Sequence, residues 1–166
     1  MAMVGLFWIT ETSVYVGAEP AGGGWSVRLT ADGLEALGTN QQGAKWAWSE
    51  VRSVGVHCAP VRSSAKWVVG AVVNTVLDVA AGGGDVPPPF EVHVEDEDGT
   101  TELDTYSAAL HGYTETEYEL SVTLLQRFVT GIADVSALQE WGRAHAAAGT
   151  PRRQEREALL RGWMEA

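Results

Sequence analysis

The chain has 166 residues, 45% of them hydrophobic, with seven tryptophans, one cysteine and a formal charge of −11 at pH 7. That length suits one domain or one domain with an appendage, and the apolar content excludes general disorder. The lone thiol, Cys58, excludes an internal disulfide, and with basic residues clustered only at Arg152-Arg153, no face is suited to nucleic acid.

Leu6-Phe7-Trp8-Ile9 and Val14-Tyr15-Val16 are β-rich, broken near 10–13, and read as one or two strands before the flexible Glu19-Pro20-Ala21-Gly22-Gly23-Gly24 turn. Trp25 to Thr30 alternates, Ala31-Asp32-Gly33 is a turn, and Leu34 to Leu37 resumes the alternation, which predicts a second hairpin. The stretch from Lys45 to Val56 reads as one further extended segment. It places Trp46 and Trp48 on a shared face, as core or as an exposed aromatic recognition strip.

Residues 67–81 are apolar nearly all round, bounded by Ser63-Ser64 and by Gly82-Gly83-Gly84 with Pro87-Pro88-Pro89. The run is shorter than the roughly 20 residues a membrane span needs, and Asn74 and Asp78 interrupt it. It is expected to form a buried or partner-covered helix, with an extended form left open. Trp67, Val69, Val72, Val73 and Val76 are its candidate oligomer-interface residues.

Phe90 to Glu95 has the cleanest period of two in the chain, putting Phe90, Val92 and Val94 on one face and Glu91, His93 and Glu95 on the other. Asp98-Gly99 turns it into Thr101 to Tyr106. This hairpin lies in the most one-sided part of the charge: between Lys66 and Arg127 there are twelve carboxylates and no Lys or Arg. Glu91, His93, Glu95, Asp96, Glu97, Asp98, Glu102 and Asp104 are therefore the candidate surface for a basic protein partner, since charge of one sign steers cations and repels anions.

After Tyr113 the period becomes helical. Glu119 to Val129 carries an apolar stripe ending at Gly131, Asp134 is placed to cap a second helix, and Thr150-Pro151 to open a third. The third helix ends in Leu159-Leu160 and Trp163-Met164, which must dock on the body or on another subunit. Leu160 and Trp163 accordingly join the candidate oligomer interface. The expected organisation is a β domain over residues 1–131 with an insert at 62–89, followed by a helical extension over 132–166.

Signatures of catalysis are weak. His57-Cys58 are adjacent on a strand and point to opposite faces, so Cys58 reads as a buried or idle thiol. The glycine runs lack the spacing and following Lys-Ser/Thr of a phosphate loop. Glu91, His93, Glu95, Glu102 and Asp104 could chelate a divalent cation, but alternating acids also mark any solvated strand face. No catalytic residue, metal or cofactor is assigned. His111 and His145 read as solvent or capping residues. No basic leader is visible, which makes the cytoplasm the expected compartment.

In element order the chain resembles a bacterial pleckstrin-homology-like (PH-like) domain. The resemblance rests on two hairpins, the Trp46-x-Trp48-x-Glu50-Val51-x-x-Val54-x-Val56 pattern, the Phe90 to Tyr106 hairpin and the helix from Glu119. It covers about residues 5–131. It implies an α+β fold, an antiparallel β-sandwich or partly open barrel capped by a helix, here with an apolar helical insert and two extra C-terminal helices. Such domains bind phospholipid head groups, peptides or proteins. The loop Ala18 to Gly24 contains Glu19 and no Lys or Arg, which argues against inositide and against a membrane partner. The expectation is a non-enzymatic, self-associating protein-interaction module. A small metal-dependent enzyme on the acidic and histidine face, and an acidic immunity or inhibitor-type protein, are the alternatives.

Overall fold

The computed structural model describes residues 1–41, 43–62 and 87–165. Six short strands open the chain: β1 (Ala2–Val4), β2 (Phe7–Ile9), β3 (Val14–Val16), β4 (Ser26–Leu29), β5 (Gly33–Leu37) and β6 (Lys45–Ala47). Each pairs antiparallel with the next, giving a sheet in sequence order. Local chemistry sets the turns. Thr30 and Gly33 close the β4–β5 turn, the Thr30 hydroxyl donating to the Gly33 carbonyl at 3.0 Å and accepting from its N–H at 3.1 Å. Glycine is required at position 33 because a Cβ there would collide with the Trp46 carbonyl of the neighbouring strand.

A second sheet contains β7 (Ser53–His57), β9 (Pro89–Glu95) and β10 (Thr100–Tyr106) in the order β10-β9-β7, again antiparallel. A short parallel pair joins β8 (Val61–Arg62) to β11 (Tyr113–Thr114). The period of two in β9 does what alternation dictates: Phe90, Val92 and Val94 are buried, while the residues between them face away from the core.

Three helices follow: α1 (Glu115–Val129), α2 (Ser136–His145) and α3 (Arg153–Glu165). Thr114 caps α1, its hydroxyl accepting the Glu117 N–H at 3.2 Å, and Gly131, in the left-handed region, follows its end. Leu124, Leu125 and Phe128 of α1 lie in the core. Its polar flank covers the edge of β7, where Gln126 Nε2 donates to the Val54 carbonyl and the Tyr118 hydroxyl to that of Val56 at 2.9 Å. These bonds occupy carbonyls that an edge strand would otherwise leave open.

The fold is thus α+β, built of antiparallel sheets and three α-helices with, among the described residues, no closed barrel. Residues 132–165 add to the core of the β domain, since Val135, Leu138, Leu160 and Trp163 belong to the same apolar cluster as the strands. The N-terminus is tied to this extension as well: the Met1 ammonium donates to Ala146 O at 2.6 Å and the Met3 N–H to Thr150 Oγ1 at 3.0 Å.

Several expectations are corrected. The segment from Lys45 to Val56 is two strands in two sheets, because residues 48–50 turn between β6 and β7. Trp48 therefore shares no strand with Trp46; both are half-buried, with indole N–H groups donating to Thr30 O and to Asp96 Oδ2 respectively. Helix α1 starts at Glu115, ahead of Glu119, because Thr114 supplies the cap. Helix α3 starts after Pro151, and Thr150 serves β1 instead. Leu160 and Trp163, the candidate interface residues read as docking on the body or on another subunit, pack on the body, where they are 0% and 8% exposed within their own chain. Trp67, Val69, Val72, Val73 and Val76, with most of the 62–89 insert, lie outside the described residues. No helix among the described residues is long and apolar enough to cross a membrane.

Candidate functional site: an acidic, histidine-bearing sheet face

The register of the second sheet builds a grid on its outer face. Ser53 stands opposite Glu95, and Glu95 opposite Thr100. Gly55, His93 and Glu102 form the next row, and His57, Glu91 and Asp104 the third. Side chains directly across an antiparallel pair come within contact range, so Glu91, His93, Glu95, Glu102 and Asp104 share one surface. At its end the β9–β10 turn adds Asp96, Glu97 and Asp98, with Glu97 and Asp98 exposed. Six ion pairs join the described residues, and none engages any of these seven carboxylates with a Lys or Arg.

Glu91 instead meets an imidazole, its Oε2 lying 2.9 Å from His93 Nε2. The His57 ring lies flat against that of His93, with centroids 4.0 Å apart and planes 24° from parallel. Gly55 makes this possible. A Cβ at position 55 would sit 3.0 Å from His57 Nε2, so the missing side chain leaves the space into which the His57 ring leans. Glu102 stands across from His93 and is exposed.

Asp96 has a structural task in addition to its charge. It accepts the Trp46 indole N–H at 2.8 Å and the N–H groups of Asp98 and Gly99 at 2.8 and 3.2 Å, which links the turn to the first sheet. The indole bond, followed by that from Asp98, holds its carboxyl below the usual carboxylate range, and Arg52 contributes a smaller attraction. Asp104 marks the other border. Its backbone N–H donates to Gln41 Oε1 and its carbonyl accepts from Gln41 Nε2, both at 2.9 Å. One side-chain amide thus occupies the edge of β10 there, leaving side chains as the means of contact.

All eight residues expected from the sequence fall on this face or its adjoining turn. The sequence does not reveal His57 as a member of it, because the pairing of β7 with β9 that brings its ring beside His93 joins segments far apart in the chain. The neighbouring Cys58 thiol, read as buried or idle, is exposed beyond the end of β7, in the left-handed region at φ 60°. The missed signal was the spacing Gly55-x-His57 against Glu91-x-His93, which cross-strand pairing converts into an imidazole stack. His111 is exposed in a loop, and His145 ends α2 with Nδ1 3.2 Å from Trp141 O. Comparison of the chain with protein-family models, with curated proteins and with solved structures finds no match.

Proposed function

We propose that the chain is a non-catalytic, PH-like interaction module whose outer sheet face docks a protein partner with a basic surface. The observation that carries this reading is the gathering of seven carboxylates by strand register onto one face and its adjoining turn, with no Lys or Arg ion-paired to them among the described residues. Such a surface attracts a basic partner over several ångströms, and its main contribution is to association rate and to specificity. An antiparallel meander, a second three-stranded antiparallel sheet and a following helix support the PH-like reading. The loop 18–24, acidic and without cations, favours protein over inositide. An immunity or inhibitor role would use the same face and differ only in the partner.

Affinity capture from native lysate in graded salt tests the proposal, using three baits. These are the wild-type chain, a variant with Glu91, Glu95 and Glu102 changed to Lys, and a control with Glu140 and Glu155 of the helices changed to Lys. Proteins held by the wild-type chain and the helix control, and lost from the sheet-face variant, support docking. Equal retention by all three baits contradicts it.

A further inference from the structure

The outer face holds an arrangement that docking does not require. One ligand atom from each of Glu91, His93 and Glu102 lies within 4.8 Å of the others. Glu91 and His93 are two apart on β9, and Glu102 is the cross-strand partner of His93, so backbone register fixes all three origins. We propose that Glu91, His93 and Glu102 form a binding site for a divalent transition cation of the zinc class.

The donor set selects the ion class. Zinc bonds to imidazole nitrogen and carboxylate oxygen are about 2.0–2.2 Å long, which separates ligand atoms by about 3.4 Å in a tetrahedron. Closing from 4.8 Å is within the reach of glutamate rotamers at a half-exposed site, where the Glu91 and His93 side chains are 41% and 21% exposed. Calcium takes 6–8 oxygens and magnesium an octahedron of oxygens, whereas one nitrogen and two oxygens suit a borderline ion. Three protein ligands leave a fourth position toward solvent for water.

A second feature, independent of the acids, favours the site. The stacked His57 ring and the space over Gly55 restrict the His93 imidazole, so less conformational freedom is lost when it binds. The Glu91 carboxylate is already 2.9 Å from His93 Nε2, and a cation entering between them replaces that contact with two metal bonds.

Calorimetric titration of the full chain with zinc chloride tests the site. The experiment uses a C58S background, which removes the exposed thiol as a competing ligand, and no partner protein is present, so its outcome is separate from that of docking. One saturable binding event with a rise in melting temperature is expected. Affinity should fall at least about tenfold in both His93→Ala and Glu102→Gln, and the His93 ring proton resonances should shift with zinc in the C58S chain. Circular dichroism checks each fold, and Glu102→Gln carries the test should His93→Ala misfold. Absence of saturable heat overturns the proposal. So does undiminished binding in the variants, which would place zinc on other residues, or equally tight binding of magnesium.

Discussion

Glu117 of α1 and Arg156 of α3 form an ion pair inside the protein, with Glu117 only 1% exposed and also accepting a 2.9 Å bond from the Thr114 hydroxyl. This pair fastens the C-terminal helix to the helix that covers the second sheet. Burial by itself would raise the Glu117 carboxyl, but the Arg156 guanidinium and the Thr114 hydroxyl outweigh it and hold the group below its ordinary 4.5. Because the folded value lies below the unfolded one, the stabilisation is fully present above about pH 4.5 and is lost as pH falls through the folded value.

Replacing Arg156 with Met should therefore do two things. Near pH 7 it leaves a buried charge without its partner and costs about 3 kcal/mol or more. Below pH 4.5 the variant should lose less stability than the wild-type chain, because burial then favours the protonated carboxyl. Urea unfolding followed by tryptophan fluorescence from pH 7 to 3 measures both effects. Parallel stability curves for the two proteins would contradict the pairing.

Leu160→Ala separates a core role from a subunit-interface role. A leucine with no exposure in the folded chain should cost about 2–5 kcal/mol when truncated, with the molecular mass in light scattering unchanged at native temperature. A change in mass with little loss of stability would return Leu160 to an interface.

Gly55→Val tests the histidine stack. The new branched side chain occupies the space over which the His57 ring leans, while a valine is otherwise well suited to a strand. The His93 ring protons should lose the ring-current shift caused by His57, with the circular dichroism spectrum retained. Unchanged His93 shifts would place His57 elsewhere.

The Trp46–Asp96 bond predicts a linked titration. In Trp46→Phe the Asp96 carboxyl should titrate closer to its ordinary range than in the wild-type chain, where the indole holds it lower. In the wild-type chain the indole N–H resonance should move with the same titration. The stabilisation from this bond is present above the ordinary carboxylate range and disappears as pH falls through the lowered value.

Much of this architecture is legible in the sequence wherever pattern is local. Phe90-Glu91-Val92-His93-Val94-Glu95 states its own buried and outward faces, and Asp98-Gly99 marks the turn that brings Glu102 and Asp104 beside them. Thr30 to Gly33 and Leu124 to Phe128 are similarly direct. What stays hidden depends on pairing between distant segments. Nothing near His57 indicates that β7 lies next to β9, and nothing near Tyr113-Thr114 indicates a parallel partner at Val61-Arg62. Leu160 and Trp163 look like an unpartnered apolar end because their covering surface is formed by residues far away in the chain, including strand β1 and helix α1.

Amide chemical-shift mapping with an Arg- and Lys-rich peptide gives the most direct test of the acidic face as a docking surface. At physiological salt, perturbations should concentrate on β9, β10 and residues 96–99, weaken as salt rises, and vanish when Glu91 and Glu102 are changed to Lys. Perturbations spread evenly to the helical acids Glu140, Glu155 and Glu165, or unaffected by those two changes, would contradict a dedicated face.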